Sequence, residues 1–385
     1  MKKYLLYGLG TLALVCFIVV IWIFVVLSGL PDVSYLKHYR PPAATEVLDK
    51  DSNLLTNYYD RKFRIWVPIS GLPDIVIQAV VTAEDDTFFE HTGVNYKATW
   101  DALVLDVQRR KFARGGSTIT QQMIKNVLLS KEKTISRKLR EYVLAVKAEE
   151  TLTKRQILEI YLNEVEWGDN LYGIEAASRF YLDKHAAGLT PAEAALLAGM
   201  LPNPRYYNPY KRMEKARDRQ ERVLFNMQQA KLITPEEYAA AQSTLIKLRP
   251  EAGGTLYFAG SETKNGRPCY QHALEQVLAN VFSEHDLYRS GRTIRTTLDK
   301  SLQNELSSSE TTSFGNVTDD ASHSLLIVKE RGQIRAMLCD TSREQSIHEM
   351  LESRGPAYFG YDVSVVSPQA ITREQIVFPV ENEVK

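Results

Sequence analysis

The sequence has no excess of either charge: 47 lysines and arginines balance 47 aspartates and glutamates over 385 residues. No global field draws such a chain to nucleic acid, and any basic site must be local. Cysteine is scarce, with three in all. Cys16 falls in an apolar run, while Cys269 and Cys339 lie late in the chain. Two thiols allow a disulfide but do not fix one, so their pairing stays open. No Cys/His cluster has the spacing of a zinc site, and no internal repeat suggests a solenoid or propeller. Charge is missing altogether from Tyr4 to Leu30, "YLLYGLGTLALVCFIVVIWIFVVLSGL".

That last absence is informative. A bilayer-spanning helix needs roughly 20 apolar residues, and this run exceeds that. A signal peptide would have a shorter apolar region ending at a small-x-small cleavage site, which Val26-Leu27-Ser28 matches poorly. The run therefore reads as a retained anchor. Lys2 and Lys3 precede it, and the positive-inside rule puts them in the cytoplasm. Everything from Pro31 onward is then expected outside the membrane, periplasmic or extracellular in a bacterium, where disulfides persist. The length allows two modest domains, or one large one with extensions.

After the anchor, Pro41 and Pro42 lead into "ATEVLDKDSNLLTNYYDRKFRIWVPIS", whose alternation and Asp-Ser-Asn turn predict a small β element. From Pro73 to about Leu248 the pattern is helical. Thr153, Thr190 and Thr234 each precede Gln or Glu by three residues, the signature of a capping box, and Pro191 and Pro235 stand at the first helical position. Ile135, Leu139, Tyr142, Val143 and Val146 share one helical face. Past Arg249 the composition shifts and Gly253-Gly254 marks a break. "GRTIRTTLDKSLQNEL" and "HSLLIVKERGQIRAML" read as strands, the second as a hairpin turning near Arg331-Gly332.

Four stretches could carry chemistry. "EDDTFFEHTG" groups Glu84, Asp85, Asp86 and Glu90 around two phenylalanines and His91. "RGGSTITQQMIKN" offers a loop at Gly115-Gly116, a helix cap at Ser117 or Thr118, and Gln121 and Lys125 one turn apart. "RKLRE" sets Arg137 one turn from Glu141. "KRQILEIYLNEVEWGDNLYGIEAAS" follows from Lys154. Each has an ordinary explanation alone: a helix-end carboxylate, a packed histidine, a flexible loop, a surface ion pair worth a few tenths of a kcal/mol. The basic run Arg109, Arg110, Lys111 and Arg114 alone reads as a solvated face.

In this order, however, the stretches resemble the signature of the family 51 peptidoglycan glycosyltransferases, over about Val67 to Leu248. "NEVEWGDNLYGIEAASRFYL" and "EAALLAGMLPNPRYYNP" continue the likeness, and their wording is similar to the monofunctional biosynthetic transglycosylases. One departure is "FYLDK", Phe180 to Lys184, in place of the usual Tyr-Phe-Gly-Lys. It loses a glycine suited to a turn and touches no residue with assigned chemistry.

The resemblance implies a mainly α, lysozyme-like helical domain. Four segments are expected: an anchor at 1–30, a β-containing juxtamembrane linker at 31–66, the catalytic domain at 67–248, and a small α+β region at 249–385. It also implies the reaction, in which lipid II is polymerised into β-1,4 glycan strands with inversion and release of polyprenyl pyrophosphate. Glu84 matches the general base, and neighbouring acids would raise its pKa. A pyrophosphate leaves as a stable anion, so cations replace the acid of a glycosidase; Lys125 and Arg137 match the phosphate-contacting positions. Glu141 is carried over as a catalytic position that orients Arg137 or holds a divalent cation, Mg²⁺ or Mn²⁺. Ser117, Thr118, Gln121, Gln122, Asp85 and His91 are carried over to the substrate site, with Phe88, His91 and Gly93 shaping the loop. Glu159 and Asn163 are expected to hold helices together. No organic cofactor and no nucleic acid is expected. The expected partners are lipid II, nascent glycan, the membrane, and transpeptidases or other cell-wall synthesis proteins. Arg109 to Arg114 would face lipid headgroups or pyrophosphates.

"YFAG" and the two later stretches resemble the linker and first strands of a penicillin-binding transpeptidase domain. Such a domain needs Ser-x-x-Lys, Ser-x-Asn and Lys-Thr-Gly. Ser34 to Lys37 and Ser261 to Lys264 have the first spacing, but neither of the other motifs occurs. Residues 249–385 are therefore expected to be a truncated remnant without transpeptidase activity. A lysozyme-like hydrolase and a catalytically dead scaffold are the competing readings.

Overall fold

The computed structural model describes residues 2–97, 99–100, 116–130, 132, 134–168, 170–250, 258–260, 269–308, 325–331, 333–338, 361–366, 371 and 373–377. Residues 109–111, 114 and 115, the Gly253-Gly254 break, Ser261 to Lys264 and Cys339 lie outside them, and with them the Cys269–Cys339 pairing. The chain divides into two compact units. One joins Met1–Arg40 to Val67–Arg249, the other Pro41–Trp66 to Pro250–Lys385.

The first unit is helical. Helix α1 (Lys2–Ser28) is apolar on every side, with a mean hydropathy of 3.0 over Tyr7–Ser28. Its 27 residues would span about 40 Å at the usual rise, so it is long and apolar enough to cross a membrane and fits a single-pass anchor. Phe17, Val20 and Phe24 are exposed, as lipid-facing side chains would be. Near its C-terminal end, the Val26 carbonyl, one of the four that a helix leaves without an internal partner, accepts a hydrogen bond from Arg140 Nε at 3.0 Å.

Among the described residues the main further helices are α2 (Asp74–Glu84), α3 (Ile119–Leu128), α4 (Ile135–Thr151), α5 (Lys154–Glu164), α6 (Ile174–Leu182), α7 (Pro191–Met200), α8 (Pro209–Gln229) and α9 (Pro235–Ser243). The three expected capping boxes at Thr153, Thr190 and Thr234 all form, and Thr118 makes a fourth at the start of α3. Helix α7, "PAEAALLAGM", has no polar face and is buried along most of its length. It therefore becomes the centre, with α2 and α8 packed on it, while α3 packs on α4 and α5. Trp167, fully buried, donates its indole N–H to the Leu197 carbonyl of α7 at 3.1 Å.

The missing glycine of "FYLDK" falls at the C-cap of α6, where Asp183 takes the left-handed conformation with φ 55° and ψ 36°. The turn is kept, and aspartate bears the strain that glycine avoids. Asp183→Gly is expected to stabilise the helical unit by about 0.5–1 kcal/mol, read as a higher urea midpoint at an unchanged m-value.

In the second unit, β1 (Thr45–Leu48) and β2 (Leu54–Tyr59) form an antiparallel hairpin, with Thr45 opposite Tyr58 and Leu48 opposite Leu54. Its turn is held by Asp49, whose carboxylate accepts from the Asp51 and Asn53 amides. The hairpin is the middle of a four-stranded sheet. β3 (Phe258–Gly260) lies parallel to β2, and β4 (Thr293–Arg295) parallel to β1. Residues 41–66 therefore form the centre of a sheet completed from beyond residue 250, where the sequence suggested a linker. A second, antiparallel sheet has β5 (Leu325–Glu330) between β6 (Gln333–Leu338) and β7 (Tyr361–Val366). The β5–β6 hairpin turns where expected. The other strand expectation is half corrected: after β4 the chain becomes a helix, Lys300–Ser308. Asp299 caps it by accepting from the Leu302 amide at 3.0 Å, and Leu298 and Leu302, one helical turn apart, are both buried.

Candidate active site

Glu84 ends α2. Its Oε2 accepts a 2.8 Å hydrogen bond from the Gln122 amide on α3. The Tyr161 hydroxyl on α5 donates to the other end of that amide at 3.4 Å, which turns the NH₂ group of Gln122 toward Glu84. Oε1 of Glu84 is buried with no hydrogen-bond partner among the described residues. Burial pushes the Glu84 carboxyl above its ordinary pKa. The Gln122 hydrogen bond and the charges of Arg219 and Lys125 oppose that rise, and Asp85 adds to it. The pKa elevation expected from neighbouring acids thus has desolvation as its main cause.

The loop after Glu84 is held on several sides. Asp85 is buried, and both its oxygens lie 3.0–3.1 Å from His91 Nε2. Oδ2 also accepts from the Ile119 amide, at the first position of α3, at 2.9 Å. Thr118 Oγ1 donates to the Gly93 carbonyl at 2.6 Å, and Lys154 Nζ to the His91 carbonyl at 2.6 Å. Lys154 also sits over the Phe88 ring. Gly93 has φ +91°, and a Cβ there would lie 2.6 Å from the Ala145 carbonyl oxygen of α4. Only glycine lets the loop lie this close to α4.

The cations stand on α3 and α4. Lys125 is paired with no acid among the described residues, and burial lowers its pKa while Glu141 raises it. Glu141, 2% exposed, ion-pairs with Arg137 through one oxygen and Lys138 through the other. Lys138 Nζ also donates to Ser117 Oγ at 2.8 Å. Arg137 Nε is buried and has no partner among the described residues.

The structure therefore brings Glu84 and Gln122 together with Lys125 within reach of the Glu84 charge, Arg137 and Glu141 beside Lys125, and Ser117 bonded to Lys138. Thr118 and Gln121 are buried and bond each other in the capping box, although Gln121 Nε2 has no partner. Asp85 and His91 pair with each other, leaving His91 Nδ1 buried and unpartnered. Asn163 and Glu159 tie residues 67–69 to α5: Asn163 exchanges hydrogen bonds with both backbone groups of Val67, and Glu159 accepts from the Ile69 amide. Sequence reasoning gave no role to Lys138, Tyr161 or Arg219. For Lys138 a signal existed, since it stands three residues before Glu141.

A divalent cation was expected at Glu141. Both oxygens of that carboxylate are held by cations, and among the described residues no group of three or more His, Cys, Asp or Glu could hold a metal. In this structure Glu141 spaces Arg137 and Lys138.

A buried carboxylate oxygen with no partner among the described residues, within reach of the charge of a lysine that pairs with no acid among them, marks this as a candidate transfer site in a helical domain that follows an apolar helix. Residues 51–228 match the family model "Transglycosylase", and the segment belongs to that family. Penicillin-binding protein 1A of Aquifex aeolicus is 34% identical over 305 residues, 79% of this chain and 40% of the relative. That of Neisseria gonorrhoeae is 38% identical over 220 residues, 57% of this chain and 27% of the relative. A crystal structure of penicillin-binding protein 1A from Haemophilus influenzae aligns over 77% of this chain and 38% of its own, at 19% identity and a TM-score of 0.37. The chain thus spans about 40% or less of the curated relatives it matches.

Proposed function

We propose that the chain is a membrane-anchored peptidoglycan glycosyltransferase. It polymerises lipid II into β-1,4 glycan strands, with its N-terminus in the cytoplasm and its helical domain outside. The observation that carries this reading is Oε1 of Glu84, buried with no hydrogen-bond partner among the described residues and within reach of the Lys125 charge, which in turn lies beside Arg137. The acceptor sugar's 4-hydroxyl gives its proton to Glu84 while its oxygen attacks the donor's anomeric carbon. The bond from that carbon to the pyrophosphate oxygen breaks, and the electron pair leaves with the pyrophosphate. Lys125 and Arg137 meet the charge that develops there. A hydrolase would activate water at the same carboxylate but has no use for a buried lysine within reach of it that pairs with no acid among the described residues. No transpeptidase step is assigned to residues 249–385.

The test is direct. Purified full-length chain with labelled lipid II should give long glycan products that lysozyme digests. Shortening of pre-formed glycan would favour a hydrolase, and no change in either substrate a scaffold.

A further inference from the structure

Tyr161 lies outside the residues that the motif order assigns, but its hydroxyl reaches the group bonded to Glu84. On α5 it is fully buried, and Ile157 and Leu158, one turn before it, are buried with it. The helix itself is fixed at both ends: the Thr153 capping box starts it, and Asn163 bonds both backbone groups of Val67. The Tyr161 hydroxyl donates to Gln122 Oε1 at 3.4 Å. The opposite end of that amide meets two acceptors. Gln122 Nε2 donates to Glu84 Oε2 at 2.8 Å and to the Ser117 carbonyl at a longer 3.5 Å. Turned end for end, the amide would set its oxygen against a carboxylate and a carbonyl, and its NH₂ hydrogens against the phenolic hydrogen. All three partners therefore select one orientation. Burial and the charges of Glu84 and Asp85 push the phenol well up, so it stays protonated and remains a donor.

We propose that Tyr161 is a positioning residue for the base: it holds the Gln122 amide so that Oε2 of Glu84 stays hydrogen-bonded and Oε1 is left to take the acceptor's proton. The proposal rests on the glycosyltransferase reading. A carboxylate has two oxygens, and a base that must face one sugar hydroxyl works best with only one of them free. Oε1 is that oxygen, buried with no hydrogen-bond partner among the described residues. The bond from Gln122 also favours the ionised form of Glu84, against the rise that burial causes. The proton passes from the acceptor hydroxyl to Oε1, while Tyr161 and Gln122 keep their own. Tyr161 touches neither sugar nor phosphate in this scheme and acts through Gln122.

The experiment measures lipid II polymerisation across pH for wild type, Y161F, Q122L and the double variant, full-length in detergent micelles. Besides Gln122, Glu84 feels Lys125 from α3, Asp85 from its own loop and Arg219 from α8. Helix α7, also packed on α2, carries one titratable side chain, Glu193, which pairs with Lys184. None of these is altered in Y161F. Y161F should move the acid limb up by roughly half to one pH unit, a loss of about 3–10-fold on that limb which closes at alkaline pH. The sign follows from the lost orientation: a weaker Gln122 contact favours the protonated carboxyl, so the base is present only at higher pH. Q122L should move the limb in the same direction, and Y161F should add nothing in the Q122L background. An unmoved limb in Y161F overturns the proposal, whether the rate is unchanged or falls equally at every pH. A further shift from Y161F in Q122L also overturns it, because Tyr161 would then act on Glu84 without the amide. Should Y161F lack a melting transition, Q122L decides: a raised limb supports the relay and an unmoved one overturns it. Wild type that makes no glycan rejects the glycosyltransferase reading itself. The Glu84 carboxyl, titrated by infrared difference against E84Q, reads the Tyr161 effect without any turnover, which keeps the two failures apart.

Discussion

Glu84→Gln lowers the rate of glycan elongation by roughly 10²–10⁴-fold, the range that a positioned general base supplies. The substitution keeps the size of the side chain and its contact with Gln122, so the fold should hold and the melting temperature change little. What it removes is the basic oxygen. The wild-type pH profile should carry the same signature. Because burial raises the pKa of Glu84, activity should fall on acidification at a pH above that of an ordinary glutamate. Below that raised pKa the carboxyl is protonated and cannot take a proton; above it the base is present. Initial rates from pH 4 to 9 check the acid limb. A limb at the ordinary carboxylate position, or E84Q with near wild-type rates, would remove Glu84 from the proposed role.

Glu141→Gln has the second large effect, and it acts on both stability and rate. The carboxylate is buried and holds two cations, with Lys125 close enough that its charge is felt there. Removing the acid leaves three positive groups facing one another. Breaking a buried ion pair from one side costs about 3–5 kcal/mol, but Lys138 keeps 33% of its side-chain surface exposed and can turn to water. A loss of about 2–3 kcal/mol is expected on that basis, read as a lower denaturant midpoint. The rate should fall by about 10²-fold, the scale on which a displaced phosphate contact is felt. Added Mg²⁺ separates the two readings of this residue. If Glu141 spaces its cations, raising Mg²⁺ rescues nothing. Strong rescue at high Mg²⁺ would restore the metal-ligand reading.

Local signals were legible and long-range ones were not. Thr153, Thr190 and Thr234 announce their helices because the capping box is written within four residues. Glu84, Lys125 and Arg137 were legible through their order in the motifs, although no sequence gives the distance between them. The joining of residues 41–66 to strands beyond 250 could not be read, since the hairpin's own pattern does not name its outer partners. The stretch after Thr293 misled because Thr, Ile and Arg favour a strand, while Asp299, three residues before Leu302, starts a helix. Arg219 was hidden by its neighbours. In "KARDRQERVL" six of the ten residues are charged, and only its place between Ala216 and Val223 on the packed face distinguishes it.

The hydrogen bond from Arg140 to the Val26 carbonyl sets a working height. Arg140 lies between Arg137 and Glu141, so the helix that carries those two groups is fastened to the last turn of the apolar span. The separation between the exit of α1 and these cations is then on the order of one helix diameter, about 10–12 Å. A pyrophosphate tethered to a polyprenyl chain rides at the level of the headgroups, a similar distance from the hydrocarbon edge. Such a substrate could enter by diffusing sideways in the plane of the bilayer, with its tail never leaving the lipid.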